Sequence, residues 1–207
     1  RDGTIYCGSE GMILDFQGVP SHASMPELGR NPAYAIADII RGLSQLQDPG
    51  AYRGLALATI IQVDVGERAF GTQASRGKLL LTLRSEYEDD LRRLRGAVEE
   101  LAGERAAAGG LGWSVQSCDV FPNTISHPAS NEKIRSVCRK LGIPLRELPA
   151  PHRSSEDFGC YTQRIPGAFF EIGSGENCPE LHTVGMDFPD AILETAVDVF
   201  LGLIGRE

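Results

Sequence analysis

The chain has 207 residues, with 20 Lys and Arg against 28 Asp and Glu and a formal charge of −8. Hydrophobic content of 42% and charged content of 23% support a packed core rather than disorder, in one large domain or two small ones. The acidic balance excludes generic binding to nucleic acid or anionic membrane, since both need excess Lys and Arg. No apolar run reaches the roughly 18 residues that span a bilayer.

The opening Arg1-Asp2-Gly3-Thr4-Ile5-Tyr6 has no initiator Met and no charged-then-apolar leader. It reads as cut from something longer, with a leader removed earlier as the other reading. The five cysteines (Cys7, Cys118, Cys138, Cys160, Cys178) are odd in number, widely spaced and without a CxxC. Reduced thiols in a cytosol are the simpler reading than a disulfide scaffold.

Residues 10–18 alternate as a strand ending at Gly18, and residues 19–31 are loop chemistry. Asn31 then caps a helix with Pro32 at its first position. Ile36, Ile39, Ile40, Leu43 and Leu46 give that helix, residues 32–47, an apolar stripe. Residues 55–65 and 78–85 read as strands joined by a long turn from Gly66 to Gly77. In the second, Leu79, Leu81 and Leu83 fall on one face and Leu80, Thr82 and Arg84 on the other.

A helix over residues 88–108 follows, with Leu91, Leu94, Val98, Leu101 and Ala102 in one stripe. Glu88, Asp89 and Asp90 sit at the positive end of its dipole. Trp113 to Phe121 is another strand. The order β-α-β-β-α-β is the ferredoxin-like split pattern, an antiparallel sheet with two helices on one face.

The remainder reads as α-β-α. Ser130 or Asn131 caps a helix through Leu141, and Ser154 starts a short helix to about Gln163 with Glu156 and Asp157 in its first turn. Gly167 to Gly173 is a short apolar strand, a loop carries His182, and Pro189-Asp190 opens a last helix. So few strands cannot make a parallel sheet buried on both faces, so the segment is part of an α/β domain whose other strands lie elsewhere.

Four histidines (His22, His127, His152, His182) narrow the search for chemistry. His182 sits on a loop past a strand end, where α/β ligand sites gather. A metal there would need further His or carboxylates, and no HExxH exists. His22, in Pro20-Ser21-His22-Ala23-Ser24, reads as a loop residue helping to cap a helix. Glu156 and Asp157 could be an acid/base pair or a metal bridge, against plain helix-start electrostatics. Gly173-Ser174-Gly175 could let a ligand approach backbone but is too short for a phosphate loop, and GxGxxG, GxxxxGK[ST] and GxSxG are absent.

Several motifs together carry a resemblance. Gly18-Val19-Pro20-Ser21-His22-Ala23-Ser24-Met25-Pro26-Glu27-Leu28-Gly29-Arg30-Asn31-Pro32 resembles the lid signature of the metal-dependent aminoacylase, carboxypeptidase and amidohydrolase family. Leu81-Thr82-Leu83-Arg84, Phe121-Pro122-Asn123-Thr124, Ser155 to Gly159, Pro166 to Gly175 and Leu181 to Asp190 follow in that family's order. The likeness covers essentially all of the chain.

The resemblance implies a hydrolase of N-acyl amino acids or peptides with two divalent metals, zinc or manganese, per complete site. It implies a ferredoxin-like lid that forms homodimers, here residues 10–117. Residues 1–9 end a preceding catalytic segment, and 118–207 are the C-terminal part of a di-metal α/β hydrolase domain. His182 matches a metal ligand, and His22 the lid His that reaches the partner subunit's site to donate to an oxyanion. Gly173, Ser174 and Gly175 match a loop lining the substrate pocket, and Glu156 and Asp157 match a motif near the site. The family's Cys-x-His pair, Glu-Glu pair and further His are expected before residue 1, so the isolated chain is expected to be inactive. Ser126, and a Gly71–Gly77 hairpin without Asn, depart from the pattern where substrate is chosen. A dimerisation or binding module without catalysis is the alternative from another class, and a small-molecule sensor a weaker third.

Overall fold

The computed structural model describes residues 1–179, 181 and 183–205. In chain order the elements are β1 (Gly3–Tyr6), β2 (Gly8–Gln17), α1 (Pro32–Leu46), β3 (Ala56–Val65), β4 (Arg76–Ser85), α2 (Glu88–Gly109), β5 (Gly112–Phe121), β6 (Thr124–Ser126), α3 (Pro128–Leu141), α4 (Gly159–Thr162) and α5 (Leu193–Leu203). The chain divides into two units. A sheet unit holds residues 6–124 and 151–160, and a helical unit holds 1–5, 125–150 and 161–207.

The sheet unit is the expected ferredoxin-like β-α-β-β-α-β fold. Its four strands are antiparallel neighbours in the order β3-β4-β2-β5. The alternation of β2 and β4 sends Met12, Leu14, Phe16, Leu79, Leu81 and Leu83 to one face, all essentially inaccessible to solvent. Against them pack Ile36, Ile39 and Leu43 of α1 and Leu91, Leu94, Val98 and Ala102 of α2. Each such side chain contributes roughly 1.5–3 kcal/mol of apolar burial. Asn31 caps α1 by accepting the Ala33 N–H at 3.0 Å. On α2, Asp90 does more than face the dipole: it is buried and accepts the Arg53 N–H at 2.9 Å.

A polar tie joins sheet and helix. Glu10 is on the helix-covered face, and its Oε1 accepts from Arg95 Nε at 2.8 Å and Ser117 Oγ at 2.5 Å. The opposite face carries the Lys78–Asp15 ion pair at 3.2 Å. Residues 151–160 belong to this unit. His152 stacks on Tyr6 with ring centroids 4.9 Å apart, and its carbonyl accepts the Cys7 N–H at 3.1 Å.

In the helical unit α3 and α5 pack around Ile134, Cys138 and Val199, with Ala168 and Phe170 against them. Strands β1 and β6 pair in a two-stranded sheet. Three local expectations are corrected. The start of α3 is Pro128, because His127 Nδ1 accepts the Ala129 N–H at 3.3 Å and caps it. Asn131, expected as a cap, instead donates to the Arg1 carbonyl at 2.6 Å and to Asp2 at 2.8 Å. Residues 167–173 are extended but form no strand: the segment docks on β6 through the Ser126 hydroxyl, which accepts the Phe169 N–H at 3.0 Å. The helix expected from Ser154 shrinks to Gly159–Thr162. Ser155, which would lie in its first turn, is held at the sheet, its hydroxyl 2.8 Å from Ser9 Oγ and 3.1 Å from Arg84 Nη1. No described helix is long and apolar enough to cross a membrane.

Candidate functional site

His22 lies at the exposed tip of a loop whose base is closed by two backbone bonds, Val19 N to Arg30 O at 3.0 Å and Arg30 N to Val19 O at 2.8 Å. Gly18 permits this closure: a Cβ on it would stand 1.9 Å from the Arg30 carbonyl oxygen. The hairpin between β3 and β4 clamps the tip. Gln73 N donates to Ser21 O and Ala23 N donates to Gly71 O, both at 3.0 Å, so the backbone on each side of His22 is fixed.

Gln73 supplies a second clamp. Its carboxamide donates to the Pro26 carbonyl at 2.9 Å and to the Ser21 hydroxyl. The hairpin where the resemblance expects a substrate-holding Asn therefore spends its amide on the loop that bears His22. Residue-by-residue reading missed this clamp. Its signal was a single long amide in a turn of small residues, Gly71-Thr72-Gln73-Ala74-Ser75.

The His22 ring is oriented locally. Its carbonyl accepts the Met25 N–H at 2.9 Å, closing a turn over residues 22–25. Its Nδ1 accepts the Ser24 N–H at 3.2 Å and lies 2.7 Å from Ser24 Oγ. Ser24 is the other residue that the sequence reading passed over.

Gly173, Ser174 and Gly175 are exposed and border a groove of about 960 Å³ within the helical unit, with Ile134, Cys138 and Phe170 among its apolar walls. Gly175 has φ of 96°, and its carbonyl accepts the Cys178 N–H at 3.4 Å in a turn. Also lining the groove, Arg135 bonds Glu147 at 2.7 Å and Asp2 at 3.0 Å. The Arg135 hydrogen bond holds the Glu147 carboxyl below its ordinary range.

Glu156 is half-buried and Asp157 exposed, and both precede the short α4. The Asp157 carbonyl accepts the Cys160 N–H at 2.9 Å. Ser126 is buried and bonded to Phe169, a packing role. Asn123, of the Phe121-Pro122-Asn123-Thr124 motif, donates to Ser85 O and Glu86 O at 3.0 and 2.9 Å, tying the ends of β5 and β4. His182, the candidate metal ligand, lies outside the described residues. Among the described residues no three His, Cys, Asp or Glu side chains gather to hold a metal ion. They do not by themselves build a two-metal site.

Comparison with known proteins settles the family. The M20 family model described as the peptidase dimerisation domain matches residues 7–110, so the chain belongs to that family. An uncharacterized hydrolase of Staphylococcus aureus (strain bovine RF122) is 25% identical over 214 residues, covering 100% of this chain and 55% of that protein. The chain thus spans about half the length of the curated relatives it matches. Among solved structures, the Bacillus subtilis YXEP protein, a dinuclear metal binding peptidase from the M20 family, superposes with a TM-score of 0.76 at 18% identity over 98% of this chain and 51% of its own. Aminopeptidase PepT from Bacillus cereus gives a TM-score of 0.74 at 17% identity, covering 99% and 54%. At these identities the likeness establishes the fold.

Proposed function

We propose that this member of the M20 family is the lid and the C-terminal catalytic-domain portion of a metal-dependent amidohydrolase or peptidase acting on N-acyl amino acids or peptides. On this reading residues 10–117 are the lid, and 1–9 and 118–207 belong to the catalytic domain. The observation that carries it is His22, an exposed imidazole on a loop clamped on both sides. A rigid loop tip is where a scaffold places a group that must meet a substrate. In the complete enzyme His22 would donate a hydrogen bond to the oxyanion of the tetrahedral intermediate, at the partner subunit's site. Gly173, Ser174 and Gly175 would form a wall of the substrate pocket, and His182 would be a metal ligand. A divalent metal, zinc or manganese, would supply the Lewis-acid chemistry of amide hydrolysis.

Homodimerisation fits the outer strand. The second half of β3 is exposed, including Ile60, Ile61 and Val63, and an apolar sheet edge of this kind is a template for pairing with a second copy. Five free thiols support a reducing compartment such as the cytoplasm. A dimerisation module without catalysis is the other reading, favoured by the fact that the matched family model is itself the dimerisation domain.

The deciding experiment compares this chain with the same chain extended by whatever precedes it in its gene. Both are given zinc or manganese and assayed on N-acyl amino acids and short peptides. The expected result is no turnover by the chain alone and turnover by the extended protein, falling about 10²–10³-fold in kcat for His22→Ala. Turnover by the chain alone would overturn the account of the missing ligands. An inactive extended protein that still dimerises would favour the module. Sedimentation tests the dimer separately, and Ile61→Lys is expected to shift it to monomer.

A further inference from the structure

We infer that Ser24 is a positioning residue that fixes the tautomer of His22 and so aims a single N–H outward from the loop. A backbone N–H can only donate. The Ser24 amide, 3.2 Å from His22 Nδ1, therefore requires a lone pair on that nitrogen. The Ser24 hydroxyl, 2.7 Å away, can rotate its hydrogen to the same lone pair. In a neutral imidazole one nitrogen accepts and the other carries the proton. With Nδ1 the acceptor, the proton is on Nε2, which no other described residue engages.

The loop makes this selection effective. Ser21 and Ala23 are tied to the hairpin by backbone bonds on either side of His22, so rotation of the side chain is the freedom that remains. Turning the ring over would bring a carbon to Ser24 and lose both contacts. The opposite tautomer would set an N–H against the Ser24 amide and point a lone pair outward. An exposed Nε2–H suits a carbonyl oxygen or an oxyanion, whereas an outward lone pair would repel it. What the donor meets rests on the function proposed above, but the tautomer does not.

The test reads the ring directly in the 207-residue chain. With 15N-labelled histidine, long-range 1H–15N spectra are recorded at roughly pH 9, where an ordinary imidazole is neutral. The wild-type His22 is expected to show Nε2 at the shift of a protonated nitrogen and Nδ1 at that of an unprotonated one. In Ser24→Ala, which keeps the amide donor and loses the hydroxyl, both are expected to move part of the way toward the tautomeric average, and Ser24→Thr is expected to restore them. Averaged or reversed shifts in the wild type would overturn the inference. So would a Ser24→Ala spectrum identical to wild type, because it assigns the ring's state to the backbone amide that any residue supplies, or a displacement that Ser24→Thr fails to repair, because it assigns that state to the loop rather than the hydroxyl. Far-UV circular dichroism confirms that each variant folds. The expected shifts combined with an extended enzyme in which His22→Ala keeps full turnover would leave the Ser24 inference standing and remove the catalytic reading alone.

Discussion

Replacing Gly18 by alanine places a methyl group where the fold has no room. The added Cβ would lie 1.9 Å from the Arg30 oxygen, 2.9 Å from its carbonyl carbon and 3.1 Å from Leu111 Cδ2, whereas ordinary contact begins near 3.4 Å. The obstacle is backbone, so no side-chain rotation relieves it, and the Arg30 strand must retreat by about 1.5 Å. That movement breaks both bonds of the Val19–Arg30 pair. Each backbone bond contributes about 0.5–1.5 kcal/mol net, and at this exposed loop water replaces the lost partners, so roughly 1–2 kcal/mol is the expected loss. For a unit of 129 residues this is a fall in melting temperature of roughly 4–8 °C. Trp113 is the chain's one tryptophan and stands on β5 of the same unit, so its fluorescence follows this unit's transition. Gly71→Ala is the control: it sits in the clamping hairpin with nothing within 4 Å of its added Cβ, and its melting temperature should barely move. Equal melting temperatures for Gly18→Ala and Gly71→Ala would refute the claim that the loop base is held by this close approach.

Four further outcomes follow from the packing. Phe16→Ala, at a fully buried position of β2, should cost about 3–5 kcal/mol in urea unfolding followed by Trp113. Glu10→Ala removes the acceptor shared by Arg95 and Ser117 and should cost about 1–3 kcal/mol, with Glu10→Gln recovering part. The Arg135 hydrogen bond lowers the Glu147 carboxyl from its ordinary 4.5 on folding. A lowered folded pKa gives stability that is present above about 4.5 and lost as the pH falls below it through the folded value. Glu147 is half exposed, so the contribution should stay below about 1 kcal/mol, and Arg135→Gln should flatten the acid limb of the denaturation midpoint against pH. Hydrogen exchange should be slowest in β2, β4 and α2 and faster in α3 and α5, where few side chains are buried.

The lid topology was legible because its two periodicities are clean. Leu79, Leu81 and Leu83 alternate on β4, and Leu91, Leu94, Val98 and Ala102 recur on α2, and burial follows both patterns. Where the sequence misled, side chains had a choice of partner. Ser154 to Asp157 carries good helix-start chemistry, but Ser155 finds Ser9 and Arg84 across the sheet, contacts no local pattern encodes. Asn131 is a sound cap by type, yet His127 precedes Pro128 and takes the role. Gly167 to Gly173 has a strand's composition but meets β6 through a serine hydroxyl. At the candidate site, His22 stood out by scarcity and by motif. The residues that hold it did not: Gln73 acts through a clamp between two loops more than forty residues apart, which has no period to read, and Ser24 makes a contact two residues away that stands inside the motif without marking itself.

The two units differ in how completely their apolar surface is used, and α5 is where the difference shows. A surface helix keeps one apolar stripe toward its core and a polar face toward water. Along α5, Val199 is buried while Val197, Phe200, Leu201 and, just beyond, Ile204 are each more than a third exposed. Among the described residues the buried apolar cluster of this unit holds three, Ile134, Cys138 and Val199, with Ile5 buried apart from it, against eighteen in the cluster of the sheet unit. A helix apolar on more than one side is normally covered on more than one side, since each large side chain left in water forgoes roughly 1.5–3 kcal/mol of burial. In the sheet unit α1 and α2 already shield one face of the strands, and the exposed half of β3 is the surface assigned above to a second copy. This imbalance, independent of any motif, supports the proposal that the helical unit is part of a larger catalytic domain, and it explains why an amphipathic reading worked for the first half of the chain and strained in the second.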